Sequence, residues 1–435
     1  MRVLLLGVLI AGSVFADESS RAERFSRFLR AGGRIPSGVA DPYQFLEFAP
    51  ASGAGMGTVC GCAAVTGARG ETVTFARTSA ATCMKGGQWS AIANGDLVTC
   101  ASGEPVVMPG GDGTGGLGLL MEEARTNSLL HSGGIDNAAW SDQTAVVAAP
   151  TLNGANAAVA PDGTTTADDY SFPATGASER SGRFQAAAGI GGVASVGSVF
   201  IKGVSGSGTL DVCVGTAAAA VCTACAYVSA TWTRCSAVNN IASQGLFIGN
   251  NTLRNGGTTR SLNRVYVWGA QGEAGVGMTS YIATTTGAAT RNAATASISV
   301  ASTSLVGMAF TYVTPSAFIT TPVPVEWRID ASNTFDSWIN ATPAYRGRLL
   351  VGGVDKGTTS SAGTPVLSEL RISLNANGTT SSVCVNASCN ATTPAGWTPP
   401  SGTSTVHIGS YNTGNFSANG VIKKLCLSPT YGACL

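Results

Sequence analysis

Arg264-Val265-Tyr266-Val267-Trp268 is a short, unbroken run of β-branched and aromatic residues, closed at its far end by Gly269. Such side chains fit a pleated surface, and the run is too short for a typical helix, so it reads as a strand with Trp268 in the core. The signature recurs at Val73–Arg77, Ser198–Lys202, Leu210–Val214, Gly245–Gly249, Ala296–Val300, Val325–Ile329, Arg348–Val351, Leu367–Leu374, Ser382–Val385, Val406–Gly409 and Gly420–Leu427. Turn residues separate these runs and no helical period intervenes, which predicts antiparallel sheets closed as jelly rolls. The expected fold class is all-β: two antiparallel β-sandwich (jelly-roll) domains after a signal peptide, a short helix and an irregular, disulfide-supported N-terminal region.

A chain of 435 residues exceeds one ordinary sandwich. Only 11% of its residues are charged, and 25 basic side chains nearly balance 24 acidic ones. No broad field exists to draw the chain onto nucleic acid or anionic lipid, so no nucleic-acid partner is expected. Met1-Arg2 followed by the apolar run Val3–Val14 and Val14-Phe15-Ala16 reads as a signal peptide over 1–16. The run is shorter than the ~20 apolar residues that span a bilayer, and no membrane span is expected. The product should therefore be secreted, either extracellular or attached to a surface.

The twelve cysteines support the same compartment. They fall into regional sets: Cys60, Cys62, Cys83 and Cys100; Cys213, Cys222, Cys225 and Cys235; Cys384, Cys389, Cys426 and Cys434. Even local sets suit disulfide pairing under oxidising conditions, although four cysteines allow three connectivities. A four-thiolate zinc site at Cys213, Cys222, Cys225 and Cys235 is the competing reading.

Between residues 17 and 127 the expectation is a basic helix over 17–34, carrying Arg21, Arg24, Arg27 and Arg30, followed by irregular, Gly-rich chain. The run Gly110–Gly116 lacks the Gly-Lys-Ser/Thr of a phosphate loop and reads as a connector. The stretch Gly287 to Asn292 marks a junction between sandwiches.

Four segments resemble phage and prophage virion (tail or head) structural proteins. They are Val73–Thr82; Gly118–Leu130 (GLLMEEARTNSLL); Asp136–Trp140 with Ala160–Asp168; and Tyr266–Gly275 continuing to Arg291. They stand in that family's order. The resemblance implies a jelly roll like that of carbohydrate-binding modules over 128–292. It also implies a concanavalin-like or laminin-G-like β-sandwich over 293–435, the latter through Val406–Ser410 and Asn419–Leu425. The chain departs from that family in its export-like start and its many cysteines.

Catalytic devices are hard to assemble from this sequence. The histidines are His131 and His407, neither beside a nucleophile elbow. Glu122 and Glu123 are adjacent, so on a strand they point to opposite faces, whereas a glycosidase needs converging carboxylates. The chain is expected not to be an enzyme; a glycoside hydrolase or polysaccharide lyase is the minor alternative. Sugar recognition needs only flat apolar rings beside polar groups. Trp140, Trp232, Trp338 and Trp397 lie in polar, turn-like sequence and are the candidate ligand-binding residues, each alternatively a core tryptophan. The expected function is non-catalytic binding of a glycan or cell-surface polysaccharide. A purely structural building block packing against virion neighbours or copies of itself is the other reading. No cofactor is expected; a structural calcium ion, which the resemblance allows, cannot be placed from the dispersed aspartates.

Overall fold

The computed structural model describes residues 44–47, 65–66, 72–84, 92–109, 117–187, 190, 194–216, 219–239, 245–275, 277–301 and 307–313. After these it describes 325–328, 330, 332, 334–339, 344–351, 353–362, 369–376, 381–385, 388–392, 403–409 and 420–428. The leader at 1–16 and the helix at 17–34 lie outside the described residues. Among those described, every regular element is a β-strand, as the recurring apolar runs predict.

The first strands are β1 (Gln44–Glu47), β2 (Val65–Thr66), β3 (Thr72–Ala76), β4 (Ala81–Met84), β5 (Leu97–Cys100), β6 (Val107–Pro109) and β7 (Leu117–Met121). A central module follows: β8 (Arg125–Asn127), β9 (Ser141–Ala145), β10 (Thr151–Val159), β11 (Thr165–Phe172), β12 (Arg180–Ala186), β13 (Ser195–Gly203), β14 (Ser207–Val214), β15 (Val221–Val228), β16 (Thr233–Asn239), β17 (Gly245–Asn251), β18 (Asn263–Ala274) and β19 (Ala289–Arg291). The last strands are β20 (Thr295–Ala301), β21 (Gly307–Val313), β22 (Val325–Arg328), β23 (Thr334–Ile339), β24 (Ala344–Val351), β25 (Val354–Ala362), β26 (Glu369–Ala376), β27 (Ser381–Val385), β28 (Ser388–Thr392), β29 (Thr403–Ile408) and β30 (Gly420–Ser428).

Two antiparallel five-stranded sheets make the central module, ordered β10-β11-β18-β13-β16 and β15-β14-β17-β12-β9. Strand alternation turns Tyr170, Phe172, Val199, Ile201, Val265 and Val267 of the first sheet toward Leu210, Val212, Val214, Leu246 and Ile248 of the second. Trp140 is sealed in this core, so its ring offers no face to solvent. The opposite face of the first sheet is also covered. Phe200, Trp232, Trp268 and Tyr281 pack there against Cys83, Ile92, Leu97, Cys100 and Val106 from the N-terminal strands. Trp232 is fully buried beneath this cover, with its indole N–H donating to Asn94 Oδ1 at 2.9 Å. The Trp140 indole N–H is buried too, but has no hydrogen-bond partner among the described residues.

The segment before residue 127, expected to be irregular, is strand-forming where described. β3 pairs with β20, while β1 and β7 both pair with β30. These strands complete two eight-stranded sheets, β2-β3-β20-β29-β22-β23-β24-β25 and β28-β27-β26-β21-β30-β7-β6 with β1 on β30. The two sheets meet where β24 and β25 pass β27 and β28. The central module is thus inserted into an outer sandwich assembled from both ends of the chain. β1, β3 and β7 are each joined to a partner more than 200 residues away in sequence, which local reading cannot see.

β8 and β19 pair at the neck of the insertion, with Arg125 opposite Arg291. Glu122 is buried against Arg291, at 3.1 Å, and accepts from the Ser280 amide and hydroxyl at 2.6 and 2.7 Å. Arg125 pairs with Glu123, and Arg291 also donates to the Glu123 carbonyl at 2.7 Å. Asn127, fully buried, accepts from Leu129 and Gly272 and donates to the carbonyls of Ala270 and Ile282. The GLLMEEARTN segment therefore fastens the two ends of the module together. Disulfides Cys83–Cys100, Cys213–Cys222 and Cys225–Cys235 join neighbouring strands. The latter two occupy all four thiols of the zinc reading, which is thereby excluded. Such pairing marks an oxidising compartment.

Candidate functional site

With one sheet of the central module covered on both faces, the outward face of the other is where a ligand can reach. Register places Arg180, Gly182 and Phe184 of β12 opposite Asn251, Gly249 and Phe247 of β17. It also sets Gln143 of β9 beside Gly182, and these residues share the outward side because Leu246 and Ile248, which alternate with them, point into the core.

The rings of Phe184 and Phe247 lie across the sheet. A Cβ at Gly182 would collide with Cζ of Phe247, and one at Gly245 with Cζ of Phe184. Each ring therefore covers a glycine on the neighbouring strand, and the missing side chain is what lets it lie flat. Phe247 is almost wholly buried, while Phe184 keeps part of its ring exposed. Together they form the apolar floor of a shallow groove of about 10 Å³, room for about one water. Gln143, Arg180, Asn251 and Arg254 supply its polar walls, and Thr216 and Ala220 border it from the β14–β15 turn. The depression is too shallow to enclose a small molecule, so a ligand would have to lie across the face rather than enter it.

Two buried polar atoms in these walls have no hydrogen-bond partner: Arg180 Nε, a donor, and Asn251 Oδ1, an acceptor. An unpaired buried polar atom costs about 1–3 kcal/mol, which a ligand hydroxyl, both donor and acceptor, could recover only if the side chain turned to bring that atom to the surface. The other polar groups nearby are already engaged. Asp211 is fully buried and takes Arg260 at 2.7 Å, Asn255 Nδ2 at 3.0 Å and the Asn251 amide at 2.8 Å. Through Arg260 and Asn255 it holds down the β17–β18 loop that carries Arg254. Thr252 reinforces the loop by donating toward the carbonyls of Gly176 and Glu179. The groove is consequently built before any ligand arrives.

At its end, Val146 forms a bridge with Arg180 and holds φ at 72°, with its side chain 87% exposed. A β-branched residue rarely takes the left-handed region, so backbone strain is concentrated beside Arg180.

Of the expected ligand-binding tryptophans, Trp140 and Trp232 are interior. Trp338 stands in β23 in register with Arg346, away from this face, and Trp397 lies outside the described residues. Phe184, Phe247, Arg180 and Asn251 were not anticipated. A signal for the aromatic pair is present in the repeated Gly-x-Phe of Gly182-Arg183-Phe184 and Gly245-Leu246-Phe247.

Other ionisable groups serve the framework. Asp168 is buried, which raises its pKa to about 6, while the Asn156 and Asp136 amides it accepts from pull the other way. Arg234 is driven down to about 10 by burial and is held by the Thr279 carbonyl and Ser198 Oγ. Burial and the nearby Arg328 guanidinium lower the pKa of His407 in β29. Among the described residues no cluster of three or more histidine, cysteine or acidic side chains could hold a metal ion.

No protein-family model matches the chain, and no curated protein matches it. Solved structures give distant likenesses. Toad ovary galectin in complex with thio-digalactose is 10% identical, covering 31% of this chain and 92% of that one, with a TM-score of 0.19. Domains LG4-5 of the mouse laminin alpha1 chain are 10% identical, covering 72% and 91%, with a TM-score of 0.24. The N-terminal CBM22 tandem of Paenibacillus barcinonensis Xyn10C is 9% identical, covering 67% and 93%, with a TM-score of 0.20. Likenesses of this size bear on neither family nor function.

Proposed function

We propose that this chain is a non-catalytic glycan-binding protein, exported and displayed on a virion or cell surface, whose contact face is the outward side of the β15-β14-β17-β12-β9 sheet. The observation that carries the reading is the pairing of flat Phe184 and Phe247 rings with the partnerless Arg180 Nε and Asn251 Oδ1 in one preformed groove. Pyranose rings offer an apolar face and a rim of hydroxyls, and these residues match both. Among the lining residues there is no carboxylate, histidine or cysteine to act as acid, base or nucleophile, which supports binding without turnover. The virion placement leans on the four resembling segments. Two of them, Gly118–Leu130 and the segment ending at Arg291, meet at the neck that presents the module.

The test is a glycan array probed with the full chain, beside Phe184→Ala and Asn251→Ala variants of unchanged melting temperature. Retention of at least one polysaccharide class is expected, weakened roughly tenfold by each substitution, the size of one lost buried contact. An array blank throughout, or binding indifferent to both substitutions, overturns the proposal. Release of reducing ends from a bound polysaccharide would overturn its non-catalytic part.

A further inference from the structure

We infer that the ligand of this groove is an acidic glycan, whose carboxylate or sulfate group pairs with the Arg180 guanidinium. The inference rests on the glycan-binding reading and adds the charge of the ligand to it.

The molecule supplies its own comparison. Arg125, Arg183, Arg260, Arg264, Arg291 and Arg348 are each matched to a carboxylate, namely Glu123, Asp142, Asp211, Asp169, Glu122 and Asp336. Arg180 is half-buried, yet its side chain makes no hydrogen bond or ion pair, and its Nε is shut away from solvent. A guanidinium withdrawn from water without a counter-charge is unfavourable, and a planar fork of donors is best met by a carboxylate or sulfate that accepts two of them. The nearest strand carboxylate on the same face, Asp211, is already taken by Arg260. Arg254 brings a second guanidinium to the same lining. A neutral sugar would satisfy the hydroxyl-type partners but leave this charge uncompensated. An acidic peptide would supply the charge but not the flat hydroxylated ring that the two phenylalanines and Asn251 suit.

The full chain is titrated with polygalacturonate, with its carboxyl-reduced form, with dextran sulfate and with neutral dextran, alongside Arg180→Gln and Arg180→Lys. Binding to at least one of the two polyanions is expected, falling with added salt. Arg180→Gln should weaken it about tenfold or more, and Arg180→Lys should restore part of the charge but not the fork. Carboxyl reduction should remove polygalacturonate binding without any change to the protein. The anion's own titration separates the two sources: uronate binding fades as pH falls through roughly 3–4, whereas sulfate binding does not. Equal affinity for the reduced and unreduced polymers, or tight neutral binding unaffected by Arg180→Gln, overturns the acidic assignment while leaving glycan binding intact. Failure of every polysaccharide, neutral ones included, removes both.

Discussion

Asp168 sits fully buried on the inward side of β11, and its carboxyl keeps a proton up to a pH of about 6 against an ordinary 3.8. The folded state therefore holds a proton that the unfolded chain has released between about pH 4 and 6. This residue's contribution to stability is full below that window, declines as pH rises through it and stays flat above, a change of up to ~3 kcal/mol. Comparing the wild type with Asp168→Asn cancels the other titrating groups. Denaturant unfolding should show the variant gaining on the wild type as pH rises from 4 to 6.5, and a constant difference would mean that Asp168 titrates as an exposed aspartate does. At this same scale the limits of sequence reading are plain. Trp140 and Trp232 were singled out because polar residues flank them, but flanking polarity does not say which way a side chain faces. The groove's aromatic residues sit instead in Gly-x-Phe strands, whose meaning appears only when Gly182 and Phe247, far apart in sequence, are brought side by side.

Among the elements, strands rich in valine, isoleucine and aromatic residues were legible: β13, β14, β17, β18, β20, β29 and β30 all fall where such runs occur. β10 and β15 were not, because Thr151–Val159 and Val221–Val228 are built largely from alanine, asparagine, threonine and cysteine and lie largely exposed. Those strands owe their existence to the neighbours they pair with, β11 and β14. The β8–β19 neck follows a different logic, since its strength is ionic. Breaking the Glu122–Arg291 pair in Glu122→Leu leaves Arg291 buried and unmatched, and a loss of about 3–5 kcal/mol is expected by denaturant unfolding. The double variant Glu122→Leu with Arg291→Met should recover much of that loss, because it leaves no lone charge behind. A double variant as unstable as the single would place the cost in lost packing rather than in charge.

For the molecule as a whole, an all-β fold of antiparallel sheets was legible in the recurring strand runs, but the reach of the N-terminal strands was not. Nothing in Val73–Arg77 or Leu117–Met121 announces that their partners are β20 and β30. A chain beginning at residue 122 lacks those strands and uncovers Phe200, Trp232, Trp268 and Tyr281. It should bind a hydrophobic dye strongly and aggregate, rather than unfold in a single sharp transition. A soluble, cooperatively melting product would mean that the cover over this face is dispensable.

β30 lies between β21 and β7 and also carries β1. On the ribosome, the inserted module can close as soon as Arg291 has emerged, with its two ends already fastened. The sheet around it has to wait with open edges until residues 420–428 arrive. A chain that stops short of them would carry a closed inserted module on an unzipped frame.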